Sequence, residues 1–317
     1  MFGITGATGK LGVKVASRLE KSGVKQRLIV RDAARAPHLK EAEIAQVSSY
    51  SDGPAMKKAL SGVKTLLLVS ARDIMGVNQE AAKNGRAALT YDRLQEQITA
   101  IDAAKATGLG RIVYLSFLNA AENSVFILDR DHFRTEQYIR NAGIPFTFLR
   151  PCLYMENVPL RVSINGVIKA PAGNGKAAWV TRDDIADVAA AVLLGKGHEG
   201  KTYDVTGPEA LTMQETAEKI AAASGRSVRY IALTPEETRA KHNASGMDKF
   251  EDERRTLTGR GLDDYEVEVW TTHYTQIAAG ALDVVSDTVP RLTGHQAQSL
   301  AEYLHLHPES YKHIGQL

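Results

Sequence analysis

The chain opens with Met1-Phe2-Gly3-Ile4-Thr5-Gly6-Ala7-Thr8-Gly9-Lys10-Leu11-Gly12. Phe2–Thr5 reads as a short apolar strand, followed by a glycine-rich turn and the start of a helix. Gly6, Gly9 and Gly12 have the spacing G-x-x-G-x-x-G. A glycine at the strand end permits a tight turn, a second lets backbone approach a pyrophosphate, and a third lets the helix pack close to the sheet. The free N–H groups of the helix start, backed by its dipole, favour an anion. Leu11, Val15, Ala16 and Leu19 fall at helical spacing, and Ser22-Gly23 is a stop signal. A second strand, Arg27–Val30, ends in Arg31-Asp32, where a dinucleotide-binding fold meets the adenosine ribose. A lone glycine triplet is weak. Set between strand and helix with a second strand following, this one marks a dinucleotide-binding turn made by Gly6, Ala7, Thr8, Gly9, Lys10, Leu11 and Gly12.

The 317 residues can bury a full core, as one large domain or two smaller ones. Hydrophobic content of 44% and charged content of 24% are ordinary for a soluble globular protein. A net charge of +2 argues against a polyanionic partner such as nucleic acid. No apolar run approaches the roughly eighteen residues that span a bilayer, and a strand stands where a signal peptide would be. The single cysteine, Cys152, rules out an internal disulfide, so a cytoplasmic setting is expected. Lying among apolar residues beside Pro151, it reads as inert packing.

Strands and helices alternate through the first half. Strands are expected at Phe2–Thr5, Arg27–Val30, Ile44–Val47, Thr65–Ser70, Arg111–Ser116 and Phe146–Arg150, and helices at Lys10–Ser22, Gly53–Leu60, up to about Lys105, and Asp129–Asn141. The alternation predicts an α/β fold, a Rossmann-type doubly wound parallel sheet with a smaller C-terminal α/β substrate lobe. Residues 1–150 form the dinucleotide-binding domain and 151–317 the lobe, interleaved with the sheet and packed over the carboxyl ends of its strands. Ala71–Asp92 is irregular and reads as an insertion or lid beside the crevice. Trp179–Leu194 reads as a short strand and a helix capped by Thr181 or Asp183. Lys201–Val205 is a strand, Thr212–Ser224 a helix opened by a Thr212/Glu215 capping box, and Ser227–Ala232 a strand. From Pro235 the chain is mostly helical and ends in a polar tail. Asp248–Arg255 reads as a solvated helix face.

Gly6–Gly12 and Val30-Arg31-Asp32-Ala33-Ala34-Arg35-Ala36 resemble the NmrA-like group of atypical short-chain dehydrogenase/reductases. So do Ile112-Val113-Tyr114-Leu115-Ser116, the run Ile144–Pro151, Tyr154-Met155-Glu156-Asn157, Gly173–Val180, Asp183-Asp184-Ile185-Ala186 and Tyr203–Pro208. The resemblance covers Met1 to about Tyr230 and is nearest the NAD(P)H:quinone oxidoreductase type 2 and triphenylmethane reductase subgroup. It implies an NADPH cofactor, with NADH the weaker alternative. Arg31 could pair with a 2′-phosphate, with Arg35 and Lys10 adding charge, while Asp32 is the competing signal for NAD. Arg35 also fits a solvated surface arginine.

Ser70 and Ala71 border the cofactor by position and resemblance, as does Arg72. Asp52 either lies near the adenine or caps a helix. Ser116 either touches the nicotinamide ribose or bonds backbone. None of the eleven tyrosines has a lysine four residues on, so the Tyr-x-x-x-Lys relay is absent. Either the acceptor needs little acid catalysis, or the fold only senses cofactor. The resemblance puts His132 by the nicotinamide, as a proton donor near neutral pH; the alternative is a helix-surface histidine capped by Asp131. Tyr154 supplies a phenol hydrogen bond to the acceptor or walls its pocket, and Asn157 orients a substrate or caps a turn. His305 and His307 lack further ligands, so no metal is expected.

The expected function is NADPH-dependent hydride transfer to a quinone-like or other conjugated small molecule. The alternative is a non-catalytic NADP(H)-sensing regulator of the NmrA type. A homodimer is compatible with the sequence, which carries nothing that sets an oligomeric state.

Overall fold

A computed structural model describes residues 1–70, 93–243 and 264–315, and seven parallel strands form its central sheet. In chain order the strands are β1 (Phe2–Thr5), β2 (Gln26–Val30), β3 (Ala42–Gln46), β4 (Thr65–Leu68), β5 (Arg111–Leu115), β6 (Phe146–Pro151), β7 (Val167–Ala170), β8 (Lys176–Ala177), β9 (Lys201–Val205), β10 (Leu211–Thr212) and β11 (Arg229–Ala232). The sheet runs β3-β2-β1-β4-β5-β6-β9. Ile4 of β1 lies between Leu28 of β2 and Leu67 of β4, so the chain reverses its direction of travel across the sheet at β1. The turn after β1 therefore sits at a switch point, where an open α/β sheet leaves a crevice. Leu66-Leu67-Leu68 and Ile112-Val113-Tyr114 are buried, as strands covered on both faces must be.

Helix α1 (Lys10–Lys21) follows the turn, and its Leu11, Val15, Ala16 and Leu19 are buried as their spacing predicts. The other helices flanking the sheet are α2 (Gly53–Leu60), α3 (Arg93–Ala106), α4 (Ile127–Ala142) and α5 (Arg182–Leu194). Helix α5 packs on α1. Lys14 Nζ lies 2.7 Å from Asp183 Oδ2 and Arg18 Nε 2.6 Å from Asp187 Oδ1 across that contact. Helix α6 (Met213–Ser224) opens with the expected Thr212/Glu215 capping box. The smaller sheets pair β7 with β11 in parallel and β8 with β10 antiparallel. One apolar cluster joins Leu11 and Leu149 to Trp179, Val205, Ile277 and Leu304, so sheet and C-terminal segments share a core.

Two local expectations give way to long-range contacts. Trp179-Val180 forms no ladder strand; Val180 makes a single parallel bridge to Tyr154, and the buried Trp179 indole donates to Thr216 Oγ1 at 3.1 Å. Of the two cap candidates, Thr181 caps α5, its hydroxyl accepting from Asp184 N–H, while Asp183 pairs with α1. The C-terminus is no polar tail: Ile314 is buried and Gly315 N–H donates to Ile164 O at 2.7 Å. The lid expected over Ala71–Asp92, with its candidates Ala71 and Arg72, lies outside the described residues, as does Asp248–Arg255. No described helix is long and apolar enough to cross a membrane.

The turn and α1 meet with no room to spare. A Cβ added at Gly12 would stand 2.2 Å from Gly6 O and 3.0 Å from Ala7 Cα, both backbone atoms that cannot swing aside. Gly12→Ala is therefore expected to lower unfolding free energy in urea by about 1–3 kcal/mol, the usual range for overpacking. An unchanged denaturation midpoint would show that the turn yields.

Candidate functional site

The site is built on the carboxyl ends of β1, β2, β4, β5 and β6. Gly6 adopts φ +62°, the left-handed conformation that turns the chain off β1. Thr5 Oγ1 donates to Val69 O at 3.0 Å and accepts from Val69 N–H at 2.8 Å, tying the ends of β1 and β4 together. Tyr50 accepts from Gly6 N–H at 3.2 Å and donates to Ile29 O at 2.9 Å, linking the turn to β2. Gly9 is the N-cap of α1 and has no side chain to offer; the first turn carries no acidic residue. The N–H groups at the start of α1 thus keep their donor capacity and the dipole its positive end. Thr8 is half-buried and Gly9 and Lys10 are exposed, whereas Ala7, Leu11 and Gly12 are buried and shape the turn from behind.

Lys10 opens α1, and Arg31 and Arg35 follow β2, the strand beside β1. Arg31, Arg35 and Lys10 are exposed, and their side chains have no hydrogen-bond or ion-pair partner among the described residues. Asp32 is engaged: its Oδ1 accepts from Ala34 N–H at 3.0 Å and caps the short 3-10 turn Ala33–Arg35. The carboxylate that competes for a ribose diol is therefore held locally. Asp52 is likewise a cap, accepting from Ala55 N–H at 3.0 Å ahead of α2.

At the other end of the crevice a polar network runs between β4, β5, α3 and α4. Arg93 Nε donates to Ser70 Oγ at 2.7 Å, and Arg93 Nη2 lies 2.8 Å from His132 Nε2. A guanidinium has no acceptor, so Nε2 must accept and the proton must sit on Nδ1. Nδ1 lies 2.7 Å from Tyr114 Oη, which in turn donates to Gln97 Oε1 at 2.7 Å. Thr135 Oγ1 donates to the same oxygen at 2.6 Å. Burial, then the charges of Arg93 and Arg150, hold His132 well below the ordinary histidine range. His132 is thus neither a surface histidine capped by Asp131 nor a proton donor near pH 7. It is a buried neutral imidazole with both nitrogens engaged, its ring stacked on Phe117 at 6.1 Å.

Ser116 is buried, and its hydroxyl donates to Glu136 Oε1 at 2.5 Å rather than to backbone. Glu136 also takes two bonds from Arg150, Nε–Oε1 at 2.9 Å and Nη2–Oε2 at 2.6 Å. Asp129, fully buried one turn before His132, is pushed well above the usual carboxylate range by burial. After β6, Arg182 organises Tyr154–Asn157. Its guanidinium lies 4.3 Å over the Tyr154 ring, Nη1 meets Glu156 Oε2 at 3.0 Å and Nη2 meets Asn157 Oδ1 at 3.2 Å. Asn157 is thereby occupied by an arginine side chain. Tyr50, Arg93 and Arg182 were not singled out from the sequence. Their partners are distant in the chain; only a lone arginine opening an otherwise ordinary helix hinted at Arg93. Cys152 is buried with its thiol pushed up to about 12 by burial, as inert packing requires.

His132 and His273 are both held neutral by burial, with Arg charges adding to it. Unfolding frees them to bind protons below their ordinary value of about 6.5, so the unfolded state gains protons that the folded state refuses. Stability is expected to fall as pH drops from about 6.5 to 5, by up to about 1.4 kcal/mol per unit for each histidine. His132→Gln should flatten that slope in urea titrations at several pH values. An identical slope in the variant would place the titration elsewhere.

Residues 2–263 match the profile of the NmrA-like family. Escherichia coli quinone oxidoreductase 2 is 32% identical over 309 residues, covering 95% of this chain and 96% of that protein. NAD(P)H azoreductase of Xenophilus azovorans is 29% identical over 315 residues, or 98% and 99% of the two chains. The likeness therefore continues past Tyr230 through the C-terminal residues. Among solved structures, the NADPH complex of the Escherichia coli NADPH-dependent quinone oxidoreductase superposes with a TM-score of 0.79 at 32% identity, covering 96% of this chain and 99% of that one. The Citrobacter sp. triphenylmethane reductase complexed with NADP(H) gives 0.77 at 28% identity, with the same coverage. On this evidence the chain belongs to the NmrA-like family.

Proposed function

We propose that the chain is an NADPH-dependent oxidoreductase that passes hydride to a quinone-like or other conjugated small molecule. One observation carries the cofactor reading. The α1 N-terminus has no side-chain cap and no acid, and Lys10, with Arg31 and Arg35 after the neighbouring strand, is exposed and without a side-chain partner among the described residues, while Asp32 is tied up as a cap. Such a cradle fits a diphosphate whose ribose bears a further phosphate. Relatives named as NAD(P)H azoreductase and quinone oxidoreductase 2 support the reductase class. The buried thiol of Cys152 suits a reducing, cytoplasmic setting.

When bound, NADPH supplies the hydride. The protein's part is to bind, orient and keep water out. Backbone N–H groups of Lys10–Gly12 hold the diphosphate, the Gly9 N–H being spent on Gly6 O at 2.9 Å, and Arg31, with Arg35 and Lys10, holds the 2′-phosphate. Ser70 and Ser116 flank the nicotinamide ribose, Ser70 through its half-buried hydroxyl and Ser116 by shaping the end of β5. Tyr154, its ring backed by Arg182, walls the acceptor pocket, and Asn157 keeps that segment in place. His132 positions its neighbours and does not donate a proton.

The deciding experiment follows NADPH oxidation at 340 nm against menadione, an azo dye and a triphenylmethane dye. Turnover of at least one of them is expected. NADPH binding without turnover of any would overturn the enzyme reading in favour of a cofactor-sensing regulator. Arg31→Ala should raise the NADPH dissociation constant about 10- to 100-fold, the worth of a charge-assisted pair, and leave that for NADH within about threefold. Equal losses for both cofactors would remove Arg31 from the 2′-phosphate.

A further inference from the structure

Arg93 is a buried cation with no ion-pair partner among the described residues. Only 7% of the residue is exposed, yet its two protein partners, Ser70 Oγ and His132 Nε2, are both neutral. No carboxylate among the described residues lies within ion-pair distance of its guanidinium. Glu136 is paired with Arg150 at 2.6 Å, and Asp129, which feels the Arg93 charge, is held toward its protonated form by burial. A buried charge left in this state is expensive unless something compensates it. Part of the guanidinium stays available. Nη1 has no bond to any described residue, and it is not among the buried polar atoms sealed from solvent without a partner.

Its position is fixed from two sides. Ser70 ends β4, next to the strand that carries the glycine turn, and His132 is stacked on Phe117 at the end of β5. Tyr114, through His132 Nδ1 at 2.7 Å, locks the imidazole in the tautomer that accepts from Arg93. The arrangement makes sense if His132 serves the arginine rather than the reverse. The guanidinium is clamped across the carboxyl ends of two adjacent strands, where an open α/β sheet receives its ligand.

We propose that Arg93 takes up the negative charge that hydride transfer places on the acceptor's carbonyl oxygen, so that the site selects neutral conjugated carbonyl compounds over cationic dyes. This rests on the reductase reading given above. Hydride from the reduced nicotinamide adds to a carbon conjugated with the carbonyl. The carbon–oxygen π pair moves onto oxygen, which accepts a hydrogen bond from Nη1–H. The oxygen then takes a proton from water, leaving hydroxide, and the enol so formed tautomerises through solvent to a hydroquinone or a saturated ketone. A guanidinium keeps its own proton and works by charge, which accounts for a reductase without the Tyr-x-x-x-Lys pair. The same charge opposes a triphenylmethane cation brought to that spot.

Two measurements test this. In the first, protein without cofactor is titrated with 4-nitrophenol, a phenol resembling the reduced acceptor, and the phenolate band near 400 nm is followed against pH. Wild type should bind it with an apparent pKa below that of free 4-nitrophenol; Arg93→Met should abolish the shift and Arg93→Lys retain part of it. In the second, Arg93→Met should lose about 100-fold in kcat for menadione, the scale of removing one oxyanion donor. Its NADPH dissociation constant should stay within twofold, and kcat/KM for the cationic dye crystal violet should be unchanged or higher. No shifted binding to wild type, an equal shift in Arg93→Met, or parallel losses for menadione and crystal violet would overturn the assignment. Absence of any turnover by wild type, with the phenolate shift intact, would overturn the reductase reading and leave Arg93 as an anion site.

Discussion

The contact between the glycine turn and the first turn of α1 constrains everything else. Gly12 can approach Gly6 only because it has no Cβ, since one would stand 2.2 Å from the Gly6 carbonyl oxygen. That approach aims the start of α1 at the end of β1. Tyr50 and Thr5 then tether the turn to its neighbouring strands, through Ile29 on one side and Val69 on the other. The result is a rigid patch of backbone donors at the sheet's switch point. An anion placed there meets prealigned N–H groups, and little conformational entropy is left to lose on binding.

The arginines of the crevice divide by whether they have anionic partners. Arg150 and Arg182 face Glu136 and Glu156 and act as internal fasteners, holding α4 to β6 and the Tyr154 segment to α5. Arg31 and Arg35, at the ribose end, have no such partner among the described residues, and neither has Arg93 at the other end. Paired arginines build the walls, and unpaired ones leave positive charge at both ends of the proposed cofactor path. The neutral His132 follows the same logic: beside Arg93 a second positive charge would be costly, and burial already disfavours it.

What could be read from the sequence was what local chemistry decides. The opening turn, the buried stripe of α1, the first strand to the residue, and the Thr212/Glu215 capping box all depend on neighbours within a few positions. Alternating periods predicted the parallel sheet but not its strand order, and Lys201–Val205, read with the C-terminal lobe, pairs with β6 as the seventh strand. What escaped was set by partners far along the chain. Arg93 is defined by His132, Arg182 by Tyr154 and Glu156, and the C-terminal segment by Ile164. His132 was noticed for its chemistry, but burial and Arg93 alter that chemistry, and neither is visible from residue type. Ser116 was expected to meet ligand or backbone; a carboxylate from α4 took its hydroxyl instead.

The most direct measurement of the central claim is amide hydrogen exchange with and without saturating NADPH. If the start of α1, which no side chain caps, holds the diphosphate, the amides of Lys10 to Gly12 should exchange markedly more slowly with the cofactor present. The amides on the outer edge strand, Ala42 to Gln46, should be unaffected. Unchanged exchange at Lys10 to Gly12 under saturation would contradict the account.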